Sequence, residues 1–447
     1  MPDLPQITER LLSAAKAAGA SAADAIAVDG TSISIDVRDG ALEQAERAEG
    51  IDIGLRVFVG QKQALVSASD ISDDTIAAMA ERAVAMAAEA PDDPYIGLAD
   101  PDQLATAWDV DALDLVDQAG DPTPAELEDR ARQAEAAAMA VPGITKIDAA
   151  AAGFTRRAIH LAATNGFSGG YQRSYHGTSC VAITGDGTEM ERDYYGDSRI
   201  HAADLEDAEK IGRKAAERTV ARAGARKPPT GAFPVIYDER ISSGLIGHLT
   251  QAMNGAMVAR GSSWLRDALG EMVLPEALSL IEDPLRPRAG GSRPFDAEGL
   301  ASRRRTLIDN GVLTGWTLDL ANARKLGMES TASASRGATS TPSPSLTNLT
   351  LTQGEQSQEE MLREIGTGLL VTSMIGASIN PTTGDYSRGA SGFWVEKGEV
   401  TYPVNECTLA GNLKDMLRSI RPANDARRHL SRVVPSLLVE GLTLAGS

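Results

Sequence analysis

Strand-like alternation in this chain comes in uninterrupted runs. "TSISIDVRDG" places Ile33, Ile35 and Val37 at every second position. "IDIGLRVFVG" and "QALVSAS" read as a hairpin turning at Gly60-Gln61-Lys62. Further on, "ITKIDAAAAG", "RRAIHLAATNG", "YQRSYHGTSCVAITGDG" and "TEMERDYYGDSRI" follow one another with no helical pattern between them. Parallel strands need a crossover, usually a helix, between them. Strands that arrive consecutively therefore point to α+β rather than to a doubly wound sheet.

Helical patterns bracket these runs. Ile7, Leu11, Leu12 and Ala15 predict a helix over about residues 5–19, and "SDDT" opens an Ala-rich helix near Ser72. Thr123 and Pro124 supply an N-cap and first turn for "TPAELEDRARQAEAAAMA". "DLEDAEKIGRKAAERTVARAG" closes the same block. Two successive blocks thus share the order helix, strands, helix, as a distant duplication would. The Pro-rich stretch "APDDPYIGLADPDQLA" and the linker "ARKPPTGAFP" divide the chain. The expected domains are an N-terminal α+β domain (1–115), a central α+β domain (122–226) and a larger, strand-rich C-terminal domain (232–447). Within the last, "TLIDNGVLTGWTLDL" predicts a hairpin at Asn310-Gly311. "STASASRGATSTPSPS" reads as a mobile low-complexity loop with no core of its own.

Composition narrows function by exclusion. Of 447 residues, 43 are basic and 62 acidic, a net charge of −19 that repels nucleic acid and anionic membrane surfaces. The run Arg303-Arg304-Arg305 is the one basic knot and reads as solvated. No apolar run is long enough to span a bilayer, and the N-terminus lacks a signal-peptide pattern. Cys180 and Cys407, far apart, suit a reducing compartment. A cytoplasmic protein is expected.

Several chemistries lack their residues. None of His160, His176, His201, His248 and His429 is followed by Glu, so no HExxH-type zinc motif is present. The absence of any Gly-Lys dipeptide removes the Walker A loop, and no GxGxxG occurs. Both cysteines read as small core residues.

Two stretches remain open to a functional reading. "GLIGHLTQAM" is an apolar helix carrying His248, with Leu245, Leu249, Ala252 and Met253 on one face. His248 is there either as a hydrogen-bonded core histidine or as the lining of a groove. "TGDYSRGASGFWVEKGE" combines Gly384, Gly389 and Gly392 with Asp385, Ser387 and Ser391. It reads as a strand, a Gly-bulged bend and a second strand, or as a groove edge to which an extended peptide could add main-chain hydrogen bonds.

The runs "GLIGHLTQAMNGAM", "SSWLRDALGEMVLP", "PFDAEG", "ARKLGMEST", "GTGLLVT", "TGDYSRGASGFWVEKGE" and "YPVNECTLAGNLKDM" closely resemble the PmbA/TldE branch of the TldD/PmbA family, most densely over about residues 232–420. That resemblance implies a relation to a zinc metallopeptidase branch, TldD, with HExxxH on this helix and a cysteine ligand near the C-terminus. On that pattern His248 stands at the first histidine, Leu249 replaces the glutamate and Met253 replaces the second histidine. The tail "LSRVVPSLLVEGLTLAG" holds no cysteine, and Cys407 lies ahead of that region.

The resemblance therefore implies a chain with no catalytic residue and no metal of its own, zinc being expected only in a TldD-like partner. It implies a subunit of a TldD–TldE metallopeptidase complex acting on unfolded or extended peptides, in degradation, peptide maturation or antitoxin turnover. The substrate-groove candidates are His248, Asn254, Asp385, Ser387 and Ser391. The alternative is a stand-alone peptide-binding or scaffold homodimer without peptidase activity.

Overall fold

The computed structural model describes residues 3–446. The N-terminal half is one antiparallel sheet with helices on a single face. Helix α1 (Leu4–Ala17) starts where Asp3 accepts the Gln6 N–H at 3.2 Å. Strands β1 (Ala22–Arg38), β2 (Ala41–Val59) and β3 (Lys62–Ala68) follow, then α2 (Asp73–Glu89), capped by Ser72. A second set repeats the order: α3 (Pro124–Met139) with a Thr123–Glu126 capping box, β4 (Ile144–Ala163), β5 (Ser168–Thr184), β6 (Glu191–Arg199) and α4 (Ala208–Val220).

The six strands lie in the order β3-β2-β1-β4-β5-β6, with β1 antiparallel to β4 at the centre. The order reads alike from either edge, which is the arrangement a duplicated unit would give. One face of β1 points at helices along its whole length. Ala23, Ala25 and Ala27 pack with α1 and α2; Ile33, Ile35 and Val37 pack with Leu127 and Ala131 of α3.

Two strands are longer than their patterns suggested. "DAIAVDG" and "TSISIDVRDG" form one strand, and "ITKIDAAAAG" and "RRAIHLAATNG" another. The glycines that look like breaks are paired inside the sheet, Gly30 with Gly50 and Gly153 with Ser34 and Gly177.

In the C-terminal half, β7 (Gly231–Tyr237) leads into α5 (Glu239–Ala252), and β8 (Gly368–Ile379), β9 (Asp385–Glu396), β10 (Glu399–Asn412) and β11 (Leu437–Ala445) complete a ring. Strand β8 runs parallel to β7; β9 and β10 add antiparallel; β11 pairs with both β7 and β10 and closes the barrel. A second sheet of short strands uses residues 280–282, 305–309, 312–313, 349–351 and 432–433. Its hairpin turns at Asn310 (φ 46°) and Gly311 (φ 82°), the left-handed pair that a tight two-residue turn requires.

Three sequence expectations give way here. Strand β9 is unbroken and lies between β8 and β10, so its main chain is already paired on both sides and is no edge for a peptide. The Ser/Thr-rich segment 330–345 is anchored: Ser333, Ala334 and Ala338 are buried, and a short ladder joins 334–335 to 343–344. A side chain on Gly54 of β2 would collide with the Ala338 carbonyl, so this segment lies directly on the N-terminal sheet. Arg305, expected in solvent with its two neighbours, instead donates to Glu282 at 2.6 Å. No helix among the described residues is long and apolar enough to cross a membrane.

Candidate functional site

Helix α5 starts directly after β7, with Asp238 accepting the Arg240 N–H at 3.1 Å. Its apolar stripe enters the C-terminal core. Leu245, Ile246, Leu249, Ala252 and Met253 share a cluster with Tyr237, Leu369, Val371, Tyr386 and Ala390 of the barrel strands. Leu249 and Met253 have no exposed surface, each contributing about 1.5–3 kcal/mol by burial.

His248 is half-buried beside this stripe. Its ring meets Tyr386 edge-on, with centroids 6.0 Å apart, and its Nε2 is buried without a hydrogen-bond partner. Tyr386 in turn lies 3.4 Å, oxygen to oxygen, from Tyr237. Burial, reinforced by the positive charge of Arg388, lowers the His248 pKa and keeps the imidazole neutral. Arg388 donates to the Gly376 carbonyl at 2.7 Å.

The other candidates scatter. Asn254 caps the short helix Gly255–Ala259 by accepting the Ala256 N–H at 2.9 Å, and it donates to the Pro344 carbonyl at 2.8 Å. Asp385 is exposed, and hydrogen bonds from Thr383 and Asn412 hold its carboxyl below the usual range. Ser387 is half-buried, paired with Ser378 on one side and Ala410 on the other. Ser391 accepts from Arg222 at 3.1 Å, at the junction with the central region. The arrangement joins His248 to β9 through Tyr386, but engages Asn254 and Ser391 in structural contacts. Cys180 and Cys407 are buried as expected, and burial pushes their thiols up to about 12 and about 11.

Three family models match along the chain: PmbA/TldA metallopeptidase domain 1 at residues 23–87, the central domain at 117–223 and the C-terminal domain at 230–446. The metalloprotease PmbA of Escherichia coli is 36% identical over 417 residues, 93% of this chain and 90% of that protein. The chain belongs to the PmbA/TldD family. A PmbA homologue of Haemophilus influenzae is 34% identical across 100% of this chain and 96% of its own length. Among solved structures, a Bacteroides thetaiotaomicron protein described as a candidate modulator of DNA gyrase superposes with a TM-score of 0.91 at 25% identity, covering 99% of this chain and 98% of that one. TldE of Thermococcus kodakarensis shares the fold, with a TM-score of 0.85 at 20% identity over 98% of this chain and 100% of that one.

The family's name implies a metal, and the residues on α5 do not fit one. A catalytic zinc takes about three protein ligands and an open position. Beside His248 the chain offers two side chains sealed in the core and a guanidinium that repels a cation. No group of three His, Cys, Asp or Glu side chains suited to a metal exists among the described residues.

A second polar cluster escaped the sequence reading because its members are far apart in the chain. Asp24 of β1 pairs with Arg56 of β2 and with Arg336 of segment 330–345, all three deeply buried. Burial alone would raise the Asp24 pKa; the two arginines outweigh it and hold the carboxyl low. Nearby, Asp296 accepts the Ala334 N–H at 3.0 Å and Glu298 accepts the Leu320 N–H at 2.9 Å. Burial, with the charge of Asp296 added, pushes Glu298 up to about 8. This cluster joins the two halves of the molecule.

Proposed function

We propose that this chain is the non-catalytic subunit of a two-chain peptidase. It pairs with a TldD-like metallopeptidase subunit that carries the zinc, and it helps to frame a chamber for unfolded or extended peptides. The observation that carries this reading is the sealed state of Leu249 and Met253 beside His248. Where the resemblance implies a general base and a second ligand, this chain has core packing. Without an activated water, peptide hydrolysis has no driver here. Of the groove candidates we assign His248, Asp385 and Ser387 to the chamber, while Asn254 and Ser391 are taken up by contacts inside the chain.

Co-expression with a TldD-like chain from the same source tests this reading. The expected result is a stable complex whose peptidase activity requires both chains and stops with chelator. A purified lone chain that cleaves peptide and loses the activity with chelator overturns it. A chain that stays a homodimer and ignores the TldD-like chain supports the scaffold alternative instead.

A further inference from the structure

Strand β2 is flanked by β3 only from Ile53 onward; residues 41–52 pair with β1 on one side and face solvent on the other. Every residue from Ala41 to Gly50 is exposed, and no backbone hydrogen bond reaches the outer side of 41–52 among the described residues. At about 3.3 Å per residue this free edge is about 40 Å long. Free edges pair readily with other strands, and proteins usually blunt them with proline, bulges, lysine or a covering element. No proline occurs between residues 41 and 59, and the one register shift with β1 lies at Asp36/Val37, next to the hairpin turn.

The charges along this edge select a partner. Arg38 and Arg47 pair with Glu43 and Glu49. Glu46 and Asp52 have no ion partner among the described residues. Both lie on the sheet face that also holds Gly50 and Ala48, since side chains repeat every second residue. They stand six residues apart, about 20 Å along the strand. A strand laid against this edge would meet two acids on one face, with only Ala48 and Gly50 between them on β2; the one arginine at that level, Arg157, stands two strands further in, beside Gly30.

We propose that the outer edge of β2 captures an extended basic peptide by adding it to the sheet, with cationic side chains six positions apart opposite Glu46 and Asp52. Main-chain hydrogen bonds hold the added strand and the two acids set its register. The proposal does not depend on the pairing or the silence of α5, because it concerns the lone chain and needs no peptidase activity.

The test is fluorescence anisotropy with the full chain and a labelled ten-residue Thr/Val peptide carrying Lys at positions 2 and 8. Three controls accompany it: Glu at both positions, Lys moved to positions 2 and 5, and the original peptide N-methylated at alternate residues on its pairing edge. Saturable binding of the first peptide is expected, with a loss of tenfold or more for each control. The exposed double variant Glu46→Lys/Asp52→Lys, its fold checked by circular dichroism, should lose as much. Equal binding of the N-methylated peptide would reduce the site to a charge patch and overturn the proposal. So would indifference to lysine spacing, or no saturable binding of the first peptide.

Discussion

Helix α5 and segment 330–345 lie in the same half of the molecule and are fixed by opposite means. The helix is held by apolar burial: Leu249 and Met253 are closed inside a core drawn from the barrel strands. The segment contributes small side chains and one arginine, and it is fixed by polar contacts. Arg336 reaches Asp24 across the molecule, and the Ala334 N–H is taken by Asp296. An apolar stripe stabilises wherever a core will receive it. A Ser/Thr-rich segment is ordered only if its backbone and its one charge find buried partners, and here they do.

The comparison breaks most visibly if the metal pattern is rewritten onto the helix. Leu249→Glu with Met253→His places a carboxylate and an imidazole in sealed apolar positions. We expect destabilisation of about 3–5 kcal/mol, the scale for an uncompensated buried charge, read as a lower denaturant midpoint. Metal analysis of the same variant should find zinc below one equivalent, because Arg388 still faces His248. A folded variant with stoichiometric zinc would show that the stripe is an open site.

The segment breaks at its arginine. Arg336→Met leaves Asp24 with Arg56 alone and should cost about 1.5–3 kcal/mol, the range for hydrogen bonds to charged groups. Limited proteolysis should then cut within 330–345 before it cuts elsewhere. An unchanged digestion pattern would mean that apolar contacts at Ala334 and Ala338 suffice to hold it.

These two regions also mark what the sequence could disclose. The stripe of α5, the capping residues Ser72 and Thr123, and the Asn310-Gly311 turn are local signals, each complete within a few residues, and the structure contains them all. The echo of helix, strands and helix was visible for the same reason. The order of segment 330–345 was hidden because its anchor, Asp24, lies more than three hundred residues away. Gly30 and Gly153 misled in another way: a glycine inside a strand looks like a break until its cross-strand neighbours are known. Of the candidate site, the place of His248 on an apolar helix and the stripe beside it were legible. The engagement of Ser391 with Arg222 and of Asn254 with the Pro344 carbonyl depended on contacts that no pattern records.

Protonation sharpens the contrast at the polar junction, where a buried carboxyl keeps its proton. Glu298 is raised by burial and by Asp296 to about 8. Between the unfolded value near 4.5 and about 8, the folded chain holds a proton that the unfolded chain has released. Stability therefore falls as pH rises through that window, by up to about 1.4 kcal/mol per pH unit. Urea midpoints across pH 5–8 check the slope. Glu298→Gln keeps an acceptor for the Leu320 N–H and should flatten it. A slope unchanged by that substitution would place the proton elsewhere in the junction.

The smallest effect belongs to Ser391, which ties the Gly-rich strand to the central region through one hydrogen bond from Arg222. Arg222 keeps its pairing with Glu191 when the hydroxyl is removed. Ser391→Ala should therefore cost only about 0.5–1.5 kcal/mol and leave the peptidase activity of a reconstituted complex unchanged. Abolition of that activity by this substitution, with stability intact, would turn the serine from a tether into a participant and reopen the reading of β9.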